Sequence, residues 1–167
     1  MSRRTVPGAL LALTLALSAC GGGEEEPTPP AAAEVAEEIS TDLSQAPDVP
    51  PTDAPAPDEL VIEDVVVGDG AEAVEGTSVA VKYVGAFYET GEEFDSSWSR
   101  GADETLPVTI GAGQVIPGFE QGITGMQVGG RRVVTIPSEL GYGDADRGPI
   151  PGGSTLVFVI DLVEVSG

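Results

Sequence analysis
Beyond residue 60 the sequence runs as short apolar, β-branched stretches set apart by glycine-rich turns, and no connection is long enough for repeated crossover helices. The stretches are LVIEDVVVG from Leu60, TSVAVKYVGAFY from Thr77, LPVTIG from Leu106, RRVVTIP from Arg131 and STLVFVIDLVEV from Ser154, and each reads as a strand. In TSVAVKYVG, Val79, Val81 and Tyr83 alternate with Ala80, Lys82 and Val84, as in a strand with one buried face. Between the third and fourth stretches, VIPGFEQGITGM sets Phe119 and Ile123 four residues apart behind Pro117, which predicts one short helix. Gly122, Gly125 and the pair Gly129-Gly130 limit that helix and turn the chain into the next strand. One helix cannot cross over five strands. The prediction is an α+β fold with a largely antiparallel five-stranded sheet curled around the helix.

The rest of the chain is of a different kind. Arg3 and Arg4 precede an apolar run over residues 6–19 that is too short to span a bilayer comfortably, so residues 1–19 are predicted to be an export signal. The run ends Leu17-Ser18-Ala19-Cys20, which resembles the lipobox of bacterial lipoproteins. By that resemblance Cys20 is lipidated and anchors the chain to a membrane of the cell envelope. Between residues 21 and 59 lie eight prolines and eleven acidic residues with no basic and no aromatic side chain. Such a stretch has nothing with which to nucleate a core, so residues 20–59 are predicted to be a disordered tether reaching about 35 Å. Within it AAAEVAEEI, residues 31–39, has the composition of a helix too short to persist alone. The folded domain is predicted over residues 60–167, long enough to bury a core without staples.

Charge and residue types exclude several chemistries. A formal net charge of -21 rules out a phosphate backbone as partner. A single cysteine rules out an internal disulfide. The stretch GEEFDSSWSRG, residues 91–101, gathers carboxylates, hydroxyls, an indole and a guanidinium, but without any histidine Ser96, Ser97 and Ser99 lack the base that a nucleophilic serine needs. Residues 144–148, DADRG, begin like a calcium loop and lack its later ligands and terminal glutamate, so no metal site is predicted. Gly111 and Gly113 lack the third glycine of a nucleotide fingerprint, and no cofactor is predicted.

The blocks VKYVG, FDSS, VIPGFEQGITGMQVG, RRVVTIP, GYG and TLVFVIDL, in that order and spacing, closely resemble the FKBP-type peptidyl-prolyl cis-trans isomerases over residues 60–167. The resemblance implies a five-stranded antiparallel half-barrel wrapped on a short helix, with a shallow apolar pocket that accepts an X-Pro peptide bond. It implies catalytic roles for Tyr83, Phe94, Asp95, Tyr142 and Phe158. It implies substrate-binding roles for Val115, Ile116, Phe119, Ile150, Leu106 and Arg100, the last paired with Asp95 and packed along an aromatic ring. Phe119 stands where the family usually carries a tryptophan, and Trp98 does not replace it. The implied partners are X-Pro peptides, unfolded exported proteins and the family's macrolide inhibitors, and the implied state is a monomer. The alternative is a membrane-anchored chaperone or proline-peptide binding module without catalysis. Chaperone-type relatives insert a domain after GYG, whereas residues 144–153 leave room for only a short loop.

Overall fold
The computed structural model describes residues 31–167. The predicted export signal, Cys20 and the first part of the predicted tether lie outside the described residues.

A helix, α1 (Ala31–Glu38), precedes six strands and a second helix: β1 (Val61–Val66), β2 (Ser78–Phe87), β3 (Glu93–Ser96), β4 (Leu106–Thr109), α2 (Pro117–Ile123), β5 (Arg131–Ile136) and β6 (Leu156–Ser166). Every pairing is antiparallel, in the order β1-β5-β6-β2-β3, with β4 also on β2. Because β6 pairs with β2 along its whole length, β3 and β4 must share the opposite edge of β2. They do so in succession, β4 along Ser78 to Val81 and β3 along Val84 to Ala86. The sheet therefore has five strand positions, as the sequence predicts, with a sixth strand because one position is split. The unpredicted piece, β3, is four residues rich in carboxylates, a composition poor in strand signal.

The concave face carries Val79, Val81 and Tyr83 of β2, Val134 and Ile136 of β5 and Phe158, Ile160 and Leu162 of β6, packed on Phe119 and Ile123 of α2. Gly118 and Gly122 are what allow α2 to lie so close. A Cβ on Gly118 would stand 2.4 Å from Ile136 Cγ2, and one on Gly122 would stand 2.6 Å from Val134 Cγ2. Gly122, expected to end the helix, is thus inside it as a packing residue. Gly125, with φ +80°, makes the turn beyond.

The convex face is also covered, and here the sequence reading is corrected. Residues 31–59 were expected to be disordered, yet α1 is formed, Val35 and Ile39 are only 2% and 4% exposed, and both pack on Tyr88, Val133, Val157 and Val159. Arg131 reaches through to the same segment. Its Nε and Nη2 donate to the Asp161 carboxylate at 2.6 and 2.7 Å, and its remaining donors bond the carbonyls of Ser40, Asp42 and Gln45 at 2.6, 3.2 and 3.1 Å. Farther on, the Thr52 N–H donates to Glu89 O at 3.2 Å. The segment is a strap across the back of the sheet. Its own composition could not build a core, but the sheet supplies the apolar surface that a helix of eight residues needs to persist.

Candidate active site
Where α2 meets the concave face there is an open cavity of ≈ 450 Å³. Nine residues implied by the sequence border it: Tyr83, Phe94, Asp95, Leu106, Val115, Ile116, Phe119, Tyr142 and Phe158. Five come from the strands, Tyr83 from β2, Phe94 and Asp95 from β3, Leu106 from β4 and Phe158 from β6, and the helix and its lead-in contribute Phe119, Val115 and Ile116. Phe119, Phe158 and Tyr83 form the floor, at 3%, 4% and 6% exposed, whereas Tyr142 stands at the rim with 37% exposed.

The rings meet edge to face. Phe119 and Phe158 have centroids 5.1 Å apart at 81°, Phe94 and Phe158 5.6 Å at 83°, and Tyr83 and Phe119 5.8 Å at 83°. Such packing points ring edges, which are partially positive, across the faces of their neighbours and into the space between. Gly85 permits this convergence: a Cβ there would stand 2.7 Å from Phe158 Cε1 and 2.9 Å from Phe94 Cζ.

One wall is polar and already satisfied. The Tyr83 hydroxyl donates to Asp95 Oδ2 at 2.6 Å, Arg100 Nη1 donates to Asp95 Oδ1 at 2.9 Å, and Arg100 Nη2 donates to the Tyr83 oxygen at 3.0 Å. The Arg100 guanidinium also lies 5.6 Å from the centre of the Tyr83 ring. Arg100 therefore acts through Asp95 and Tyr83 and does not itself border the cavity. Burial pushes the Tyr83 phenol above its ordinary range, and the bond to Asp95 adds to this while Arg100 opposes it. Burial also raises the Tyr142 phenol, with the Asp95 charge in support and the Arg147 charge against.

Two donors are unspent. The Tyr142 hydroxyl and the Ile116 N–H have no hydrogen-bond partner among the described residues. The loop before Ile116 is pinned from both sides. The Glu120 carboxylate accepts from the N–H groups of Gly111 and Gly113 at 2.7 and 3.0 Å, and Gln114 Oε1 accepts from the Thr109 N–H at 2.9 Å. The serines of FDSSW turn out to be framework. Ser97 Oγ accepts from the Tyr83 N–H at 3.0 Å, and Ser96 Oγ accepts from the Trp98 N–H at 3.2 Å.

Two expectations need correction. Ile150 is 6% exposed, packs in the core and does not border the cavity. Arg100, implied to bind substrate, also stays out of the lining because its guanidinium is drawn onto Asp95 and Tyr83, and Trp98 lies elsewhere, its ring 4.3 Å from Lys82 Nζ. Sequence reasoning missed Gln114, Gly141 and Arg147, which complete the lining. Gly141 opens the GYG block and Arg147 follows it by four residues, and proximity to Tyr142 was the only signal that could have found them. A wider depression of ≈ 650 Å³ lies on the other side of Phe94, bounded by Phe87, Tyr88, Glu89, Glu92, Glu93 and the loop before β6.

Residues 70–163, more than half of the chain, match the model of the family described as FKBP-type peptidyl-prolyl cis-trans isomerase. The chain belongs to that family. It is 53% identical over 109 residues to a probable FK506-binding protein of Corynebacterium glutamicum, covering 65% of this chain and 89% of that one. The crystal structure of AtFKBP13 is similar at 40% identity and a TM-score of 0.59, covering 66% of this chain and 96% of that one. FkpA from Escherichia coli is similar at 30% identity and a TM-score of 0.58, covering 81% of this chain and 57% of that one. The reaction is rotation about the amide preceding a proline in a peptide.

The isomerase has no bond to make or break. Amide resonance sets a rotation barrier of about 18 to 20 kcal/mol, and at X-Pro the two planar forms differ by only about 0.5 to 1 kcal/mol. What an enzyme can change is the rate. A chemistry without proton transfer agrees with a site whose hydroxyl Tyr83 is tied up and whose serines hold the backbone.

Proposed function
We propose that the isomerase works by holding the X-Pro amide in its twisted form inside the ring-lined cavity. Twisting removes the delocalisation that puts negative charge on the carbonyl oxygen, so the twisted form loses less than the planar one on entering an apolar enclosure. Tyr83, Phe94 and Phe158 surround the carbonyl with ring edges, and Phe119 supports the proline ring. The spare Tyr142 hydroxyl and Ile116 N–H fix the peptide backbone, so binding is spent on one conformer. Asp95 and Arg100 keep Tyr83 in place and remove no proton. The observation that carries this reading is the convergence of Tyr83, Phe94, Phe119 and Phe158 on one cavity beside two unspent donors.

The test is exchange NMR on an X-Leu-Pro-Phe peptide. Exchange faster with the protein than without it supports catalysis. Binding without faster exchange would leave a chaperone or proline-peptide binding module. The relatives' names include FK506-binding, and the apolar cavity suits a macrolide of that kind. Competitive inhibition of the peptide exchange by FK506 checks this.

We further propose that the chain is exported and held at a membrane by a lipid on Cys20, so that its substrates are X-Pro segments of exported proteins still folding. The charged, apolar leader and Leu17-Ser18-Ala19-Cys20 support this reading. Only ten residues separate Cys20 from α1, which extended would span at most about 35 Å, so the domain would work close to the membrane. Replacing Cys20 by Ser should release the protein from the membrane fraction, and continued attachment would refute lipidation there.

A further inference from the structure
We propose that Arg147 is a specificity-determining residue of this cleft, selecting X-Pro segments that carry a carboxylate side chain next to the proline. The proposal rests on the isomerase reading above. Five cationic side chains occur among the described residues, and four are engaged. Lys82 Nζ donates to Ala102 O at 2.5 Å and sits against Trp98. Arg100 holds Asp95 and Tyr83, and Arg131 holds Asp161 and the strap. Arg132 donates to the Asp64 carboxylate at 2.7 and 3.1 Å and to Gly122 O at 3.0 Å. The guanidinium of Arg147 makes no hydrogen bond or ion pair with the described residues, yet it borders the cavity.

The backbone beneath it is fixed. The Arg147 N–H donates to Ile150 O at 2.8 Å, the Ile150 N–H returns to Arg147 O at 3.0 Å, and the Ile150 side chain is anchored in the core. The acidic neighbours on the loop do not cancel the charge at the cavity. Asp146 Oδ1 accepts from the Gly152 N–H at 2.9 Å, and neither Asp144 nor Asp146 borders the cavity. Asp95 is the one carboxylate that does border it, and Arg100 is paired with it at 2.9 Å.

The lining thus ends with an uncompensated positive charge inside a chain of net charge -21. Distant charges are screened beyond about 8 Å at physiological ionic strength, so a bound peptide feels Arg147 more than the acidic surface. The planar guanidinium presents paired donors that match a carboxylate in geometry as well as charge. An Asp or Glu side chain beside the proline is the partner this arrangement fits.

The experiment uses the full-length chain in detergent and acetylated, amidated peptides with Glu or Gln immediately before, or immediately after, the proline. The readout is the Glu-to-Gln ratio of kcat/KM from NMR exchange. At one of the two positions this ratio should exceed unity by about two- to five-fold, as for a solvent-screened ion pair, and about 0.5 M salt should bring it to unity. Arg147→Gln should also bring it to unity, Arg147→Lys should keep part of it, and Arg147→Glu should push it below one. A wild-type ratio of one or less at both positions, or a preference that Arg147→Gln leaves intact, would overturn the assignment. The salt series on the wild type decides the matter even if a variant folds poorly. No turnover of the Gln peptides would overturn the isomerase reading, and this proposal with it.

Discussion
Replacing Arg131 by methionine should destabilise the protein by about 3 to 5 kcal/mol, the usual consequence of removing one partner from a buried ion pair. Arg131 is fully buried, and the side chain of its partner Asp161 is 8% exposed, so water cannot take over the lost donors. Methionine fills the volume but leaves the carboxylate uncompensated. It also leaves the carbonyls of Ser40, Asp42 and Gln45 without their donor, at about 1 to 3 kcal/mol for each that stays buried. The strap would partly escape that second loss by lifting off, which brings water to its carbonyls and exposes Val35 and Ile39. Against a typical stability of 5 to 15 kcal/mol the loss is large, so the variant should still fold but unfold at much lower urea. Urea unfolding gives the size. Limited proteolysis and hydrogen exchange over residues 34–56 give the location, since a loosened strap is cut and exchanges first. Isomerase activity per folded molecule should be retained, because Arg131 points to the convex side. A loss below about 1 kcal/mol, or a strap as protected as in the wild type, would refute the assignment of the strap as a packed part of the fold.

Other perturbations act on the concave side. Gly85→Ala places a Cβ between the rings of Phe94 and Phe158, so it should cost about 1 to 3 kcal/mol by overpacking and lower kcat/KM; unchanged unfolding and activity would contradict the packing described. Tyr142→Phe should leave stability unchanged and reduce kcat/KM by about two- to twelve-fold, the worth of one hydrogen bond of about 0.5 to 1.5 kcal/mol, read by peptide exchange. The phenols of Tyr83 and Tyr142 are raised in the folded protein, so near pH 10 and above the unfolded chain sheds protons that the folded chain keeps. Their contribution to stability is therefore complete below about pH 10 and declines above it, which urea titrations from pH 8 to pH 11 will show as a fall only at the alkaline end.

The strands and α2 were legible because β-branched alternation and the Phe119–Ile123 spacing are local signals. The cavity was legible through the family blocks, and nine of the eleven implied pocket residues do border it. What escaped was non-local. The stretch LVFVIDL of β6 is buried on both faces, as its nearly unbroken apolar run indicates for a strand covered twice, but nothing in it says what lies on the outer side. The cover is a proline-rich acidic segment whose few apolar residues, Val35 and Ile39, matter only because Val133, Val157 and Val159 await them. Arg131 read as a strand residue, and only the fold brings Asp161 and the strap carbonyls to it. Ile150 fell to the core instead of the wall because the loop turn at Arg147 faces it inward. Arg147 was overlooked since a lone charge on a loop carries no pattern.

The account stands on rotation without proton transfer inside a cavity of aromatic rings. Comparing kcat/KM for one Leu-Pro peptide in H2O and D2O, from pH 6 to pH 9, measures this most directly. A ratio close to one with a flat pH profile is the expected result. A solvent isotope effect of about two or more, or a bell-shaped profile, would mean that a proton moves in the rate-determining step and would contradict the mechanism.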